Sequence, residues 1–206
     1  MSTESSTPEK RRYEKRARAA QEEATRQRVI EAAIELHGSI GPARTTISAI
    51  AEKAGVRRAT VYRHFPDERT LFLGCSGTWQ ERHPVPNPAD WAQIADPAAR
   101  LDAALDALYA WYEQAEPMMT AVLRDIGAMP MISEIQAGRL AYLAMVEEGL
   151  AAGWGVRGRA AVRLRAAIGL ALDFFTWRTL HERGLSRSDA VAVTAAAVRA
   201  SRPHPG

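Results

Sequence analysis

The chain has 206 residues, a formal net charge of +3 and a single cysteine, Cys75. That length can bury an ample core without staples, and one thiol excludes an intramolecular disulfide framework. No segment approaches 18 uninterrupted apolar residues and the first residues are polar and charged, which argues against a spanning helix or a secretory signal core, so a soluble cytoplasmic protein is expected.

The charge is unevenly distributed along the chain. Residues 1–70 hold 14 Lys and Arg against 10 Asp and Glu, whereas the remainder holds 13 against 14. Within the basic part, Lys10, Arg11, Arg12, Lys15, Arg16 and Arg18 cluster in a segment without apolar periodicity. Residues 1–20 are therefore expected to be disordered or partly helical, and to act either as an arm reaching a minor groove or phosphates, or as a solvated tail.

A first helix is expected from about Glu22 to His37, with Val29, Ala32, Ala33 and Leu36 on its buried side and residues 38–42 ending it. Thr45 to Leu71 then reads TTISAIAEKAGVRRATVYRHFPDERTL. Ile47, Ile50, Ala51 and Ala54 recur at helical intervals behind a hydroxyl cap from Thr45 or Thr46. Gly55 supplies a left-handed turn, and Val56 returns to the core beneath it. A second short helix from Arg57 to about His64 is anchored by some combination of Ala59, Val61 and Phe65, which divides Arg57, Arg58, Thr60, Tyr62, Arg63 and His64 between core edge and solvent. A short basic helix of this kind suits a major groove.

These residues carry a resemblance. Ile50-Ala51, Ala54-Gly55-Val56 and Thr60-Val61-Tyr62-Arg63-His64-Phe65, with Val29 to Leu36 upstream and Leu71-Phe72 downstream, resemble the signature of the TetR family of bacterial transcription regulators over about 60 residues. The resemblance implies an all-α homodimer with a three-helix helix-turn-helix head and a helical ligand-binding and dimerisation body. It also implies binding to a palindromic operator in double-stranded DNA, as a repressor released by a small molecule. By the family pattern Thr46, Arg57, Arg58 and Thr60 would touch DNA, with Tyr62 and His64 on phosphates; Thr45 and Arg63 complete the candidate set. Two positions depart from the pattern: Glu68 stands where a lysine is usual, which passes a phosphate contact to Arg69 or loses it, and His37 stands where a bulky apolar residue is usual.

Asp67 is the expected cap of a connecting helix that includes Leu71, Phe72 and Trp79, and prolines 84, 86 and 88 make residues 83–90 an irregular linker. The expected domains are therefore 22–82 for the head, with its motif at 45–64, and 90–206 for the body. Asp96-Pro97 starts a helix with Leu101, Ala104, Leu105, Leu108, Trp111, Tyr112 and Ala115 on one face and Asp102, Asp106, Tyr109 and Glu113 on the other. Pro117 should break it, leaving a shorter helix from Met118 to Ile126. Helices from about Met131 to Ala152, Arg157 to His181 and Ser188 to Ala200 complete a count of about nine.

The helix expected over 157–181 is apolar around nearly its whole circumference. With 188–200 beside it, the economical explanation is a four-helix interface between two copies. In the 131–152 helix, Arg139 falls among Ile132, Ile135, Tyr142, Leu143, Val146 and Leu150, and a buried guanidinium must be paired. Its partner is either Asp173, which interrupts the apolar helix, or an anionic ligand. Trp111, Tyr112, Met118, Met119, Met129, Met131, Phe174 and Trp177 either pack as core or line an apolar cavity. The candidate ligand-contacting set is Trp111, Tyr112, Met118, Met119, Arg139, Tyr142, Asp173 and Trp177, for an effector the sequence does not identify.

Catalysis has no visible home. Gly153-Trp-Gly155-Val-Arg-Gly158 matches a dinucleotide-binding glycine spacing, but it joins two helices instead of following a strand. The five histidines show no metal-ligand spacing, and no serine or cysteine sits in a nucleophile motif. No cofactor, metal or membrane partner is expected.

Overall fold

The computed structural model describes residues 8–201. They form ten α-helices and one 3-10 turn, with no strand among the described residues. The chain divides into two compact units, residues 1–82 and 83–206.

The first unit contains α1 (Pro8–Ser39), α2 (Ile47–Lys53), α3 (Arg58–His64) and α4 (Glu68–Arg82). Helix α1 starts well before the expected residue 22, so the described part of the basic segment is helical; residues 1–7 lie outside the described residues. Val29, Ile30, Ala32 and Ala33 of α1 pack with Ile47, Ile50 and Ala51 of α2, Val61 of α3, and Leu71, Phe72 and Cys75 of α4 in one buried set. Polar pairs fasten the rim: Lys53 bonds Glu35, and the two terminal nitrogens of Arg82 grip both oxygens of Glu31. That Arg82 contact holds the Glu31 carboxyl at about 2, well below its ordinary value.

The second unit contains α5 (Ala89–Ala92), α6 (Pro97–Arg124), α7 (Pro130–Ala151), α8 (Arg159–Leu172), α9 (Phe174–Glu182) and α10 (Arg187–Ala200). Three expectations are corrected here. Pro117 does not break α6, which runs through it. Pro117 and Glu113 are both exposed, so the carbonyl that loses its partner can be satisfied by water. The helix expected over 157–181 is two helices, because the Asp173 carboxylate accepts the N–H groups of Phe175 (2.7 Å) and Thr176 (3.0 Å) and thereby caps α9. Tyr109, assigned to the polar face of α6, is fully buried.

These last two corrections have one cause. Ending α8 at Leu172 leaves its final carbonyls without helical partners. The Tyr109 hydroxyl donates to the Ala171 carbonyl at 2.8 Å and the Tyr112 hydroxyl to the Leu172 carbonyl at 2.7 Å. Two phenols one turn apart on α6 therefore satisfy the break, and burial pushes the Tyr109 hydroxyl up to about 12 and raises Tyr112 further.

The proline-rich segment is pinned to its own unit. The Trp111 indole donates to the His83 carbonyl (3.0 Å) and the Tyr142 hydroxyl to the Pro86 carbonyl (2.8 Å). Between α7 and α8, Gly153, Gly155 and Gly158 all have positive φ, and buried Trp154 donates back to the Leu150 carbonyl at 2.7 Å. The glycine spacing there builds an interhelical turn, a conformation these residues adopt without Cβ strain.

Candidate nucleic-acid interface

Between α2 and α3 the chain turns through a small set of hydrogen bonds. Thr46, not Thr45, caps α2, its hydroxyl accepting from Ala49 N at 3.1 Å; the Thr45 hydroxyl donates to the Gly41 carbonyl at 2.8 Å. At the other end Gly55 adopts φ +65°, Val56 N–H reaches the Ala51 carbonyl at 2.9 Å and Gly55 N–H the Glu52 carbonyl at 3.1 Å. These bonds satisfy the last carbonyls of α2 and set the direction in which α3 leaves.

Val61 and Phe65 anchor α3, at 0% and 2% exposure, and Ala59 does not, since it is exposed. Arg57, Arg58, Tyr62 and Arg63 are exposed, Thr60 is half-buried, and Thr46 is exposed at the start of α2. The outer surface of this helix pair is thus cationic and hydroxyl-bearing. His64 differs: it is half-buried, and its Nε2 is buried without a hydrogen-bond partner.

The two departures from the family pattern find local explanations. Glu68 opens α4 and is exposed, where a carboxylate favours the positive end of the helix dipole; Arg69 beside it is exposed as well. His37 is buried against Phe72 at 5.5 Å between ring centroids, with its Nδ1 3.4 Å from Cys75 Sγ. It fills an apolar position while giving the thiol a polar neighbour. Burial pushes Cys75 up to about 12, so the reactive thiolate is suppressed in the folded protein.

In the second unit, the candidate ligand residues are largely an aromatic core. Tyr112 lies 5.3 Å from Phe174, 5.5 Å from Trp177 and 5.6 Å from Trp111 between ring centroids. Met119 is buried, whereas Met118 and Tyr142 are half-buried. Arg139 is half-buried and its Nε donates to the Oε1 of Gln136 at 2.6 Å, a neutral partner that no feature of the sequence singles out. The Asp173 carboxylate is spent on capping α9 instead of on an ion pair with Arg139. Among the described residues no group of three His, Cys, Asp or Glu could hold a metal ion, and no helix is long and apolar enough to cross a membrane.

Comparison with known proteins fits this geometry. The sequence model described as bacterial regulatory proteins, tetR family, matches residues 29–75. The HTH-type transcriptional regulator SrpR of Pseudomonas putida is 50% identical over 50 residues, 24% of this chain and 24% of its own length. The matched stretch thus spans about a quarter of that relative. A TetR-like transcriptional regulator from Rhodococcus sp. RHA1 superposes with a TM-score of 0.61 at 15% identity, covering 85% of this chain and 93% of its own. The transcriptional regulator FadR from Bacillus subtilis, in complex with stearoyl-CoA, superposes with a TM-score of 0.51 at 20% identity, covering 85% and 96%. Residues 29–75 are a helix-turn-helix domain of the tetR family of bacterial regulatory proteins, in a chain that has the fold of TetR-like regulators.

Proposed function

We propose that the protein is a sequence-specific DNA-binding transcriptional regulator, a repressor that binds a palindromic operator as a homodimer and is released by a small molecule. The observation that carries the reading is the α2–turn–α3 geometry: apolar residues seat both helices, and Arg57, Arg58, Tyr62 and Arg63 are left exposed on the second. Thr46, Arg57, Arg58 and Thr60 are the residues suited to meet bases or the groove edge, with Tyr62 on phosphate and exposed Arg63 there in place of the expected His64, whose Nε2 is buried.

Dimerisation through α8, α9 and α10 is supported by Val162, Leu170, Phe175 and Val193, large apolar side chains at least half exposed in the single chain. An effector site in the second unit is supported by Arg139, whose guanidinium hydrogen-bonds an uncharged partner. FadR, a protein of the same fold, holds stearoyl-CoA, so an acyl or other anionic ligand is a reasonable first screen.

Alanine substitution separates base reading from phosphate contact. If Arg57 or Arg58 forks a guanine, Arg57→Ala or Arg58→Ala should cost about 1–3 kcal/mol and relax preference at one base position of a selected operator. A uniform loss on all duplexes would assign the residue to phosphate, and no loss from either variant would remove α3 as the reading helix.

A further inference from the structure

Helix α1 is continuous from Pro8 to Ser39, but its first turns lie outside the core. Every residue from Arg11 to Ala24 is exposed, and burial begins only near Thr25. Arg11, Arg12, Lys15, Arg16 and Arg18 lie in this free stretch, and among the described residues none of the five forms an ion pair with a carboxylate. At about 100° per residue, Arg11, Lys15 and Arg18 fall on one stripe, and Arg12 and Arg16 extend it around the helix. The opposite side offers Tyr13, Ala17 and Ala20, too little bulky apolar surface for a lipid interface or a hydrophobic groove.

The free stretch is tied to the recognition helix. The Arg26 guanidinium sits 5.2 Å from the centroid of Phe65, the residue that ends α3. From that anchor, a rise of about 1.5 Å per residue carries the basic stripe about 12 to 22 Å further along α1, comparable to about four to six base-pair steps. A helix of this length, carrying exposed cations on one stripe and anchored at the end of α3, complements a polyanion lying beyond the half-site.

We infer that the free N-terminal turns of α1 form a second DNA-contacting surface, in which Arg11, Lys15 and Arg18 neutralise phosphates flanking the operator half-site. This rests on the DNA-binding reading above. The arm contributes affinity and salt dependence without reading bases, since it meets the backbone and not the groove floor.

The test uses the full chain and its selected operator, with long flanks and with flanks trimmed to the half-sites. Binding is titrated against potassium chloride for wild type and for the variant Arg11→Gln, Arg12→Gln, Lys15→Gln, Arg16→Gln and Arg18→Gln. Because each lost phosphate contact lowers the slope of log K against log salt by about 0.9, three contacts on each of the two arms of the dimer should lower it by about 5. Trimming the flanks should cost wild type the same slope and leave the variant unchanged. Equal slopes for both proteins on the long duplex overturn the inference while leaving the DNA-binding reading intact; a wild type that selects no duplex at all sinks that reading itself. Loss of binding to anionic vesicles, with duplex binding untouched, would overturn the inference in favour of a membrane surface.

Discussion

Trp177→Ala is expected to destabilise the second unit by about 3–5 kcal/mol, the range for removing a fully buried large aromatic. Trp177 is 1% exposed and lies within 5.5 Å of the ring centroids of Tyr112, Phe174 and His181. Removing it opens a cavity between α6 and α9, beside the point where Tyr112 satisfies the Leu172 carbonyl. The loss therefore reaches past dispersion to the hydrogen bond that stabilises the α8–α9 break. Thermal unfolding followed by helical circular dichroism should show a midpoint lowered by about 10 °C or more. A change within about 1 kcal/mol would mean that the aromatic cluster is not the core of this unit.

Val61→Asp should abolish duplex binding. Val61 is 0% exposed in the middle of α3, and an unpaired carboxylate there costs several kcal/mol against a total stability of about 5–15 kcal/mol. Ala59→Asp places the same charge two residues earlier at an exposed position. It should leave the melting temperature nearly unchanged and weaken DNA binding only by repelling phosphate. Melting curves thus separate the two: a Val61→Asp protein with wild-type stability would contradict the packing of α3 described above.

The head was legible in the sequence because its constraints are local. The stripe of Ile47, Ile50 and Ala51, the glycine at φ +65° and the Asp67 side chain accepting from Thr70 N at 2.6 Å each follow from residues within a few positions of one another. The second unit was legible as all-helical but not in its helix number or ends. Six helices stand among the described residues where five were expected, since the helices expected on either side of Pro117 are one, 157–181 is two, and Ala89–Ala92 forms a short helix at the end of the expected linker. Asp173 reads in sequence as a polar interruption to be explained by a charge partner. In the structure it is a cap, and the groups that make a break there tolerable, Tyr109 and Tyr112, lie some 60 residues earlier in the chain. A signal was present: Asp173 is followed by Phe-Phe-Thr, a short polar residue ahead of a helical run, which is the usual form of an N-cap.

Pro117 misled for the opposite reason. Proline in a helix interior costs about 3 kcal/mol when nothing offsets it, yet burial along the rest of the 28-residue α6 outweighs that cost. Leu101, Leu105, Leu108, Trp111 and Tyr112 before the proline, and Met119 and Leu123 after it, are all buried. The solvent-facing position of the ring depends on phase along the helix, which is set by tertiary packing and not by the proline itself. Arg139 is a third case: helical projection places it within the packed face, but its neutral partner Gln136, 5% exposed, was hidden because nothing in its sequence context marks it as buried.

On the proposed function, α2 and α3 present a DNA-reading surface used in symmetric pairs. Selection of full-length protein against random duplexes tests it most directly. The expected result is enrichment of a palindrome whose half-site centres are roughly 34 Å, one helical turn, or a small multiple of it, apart, and loss of that enrichment in Val61→Asp. A pool that remains random after repeated rounds, with the protein folded throughout, would contradict it.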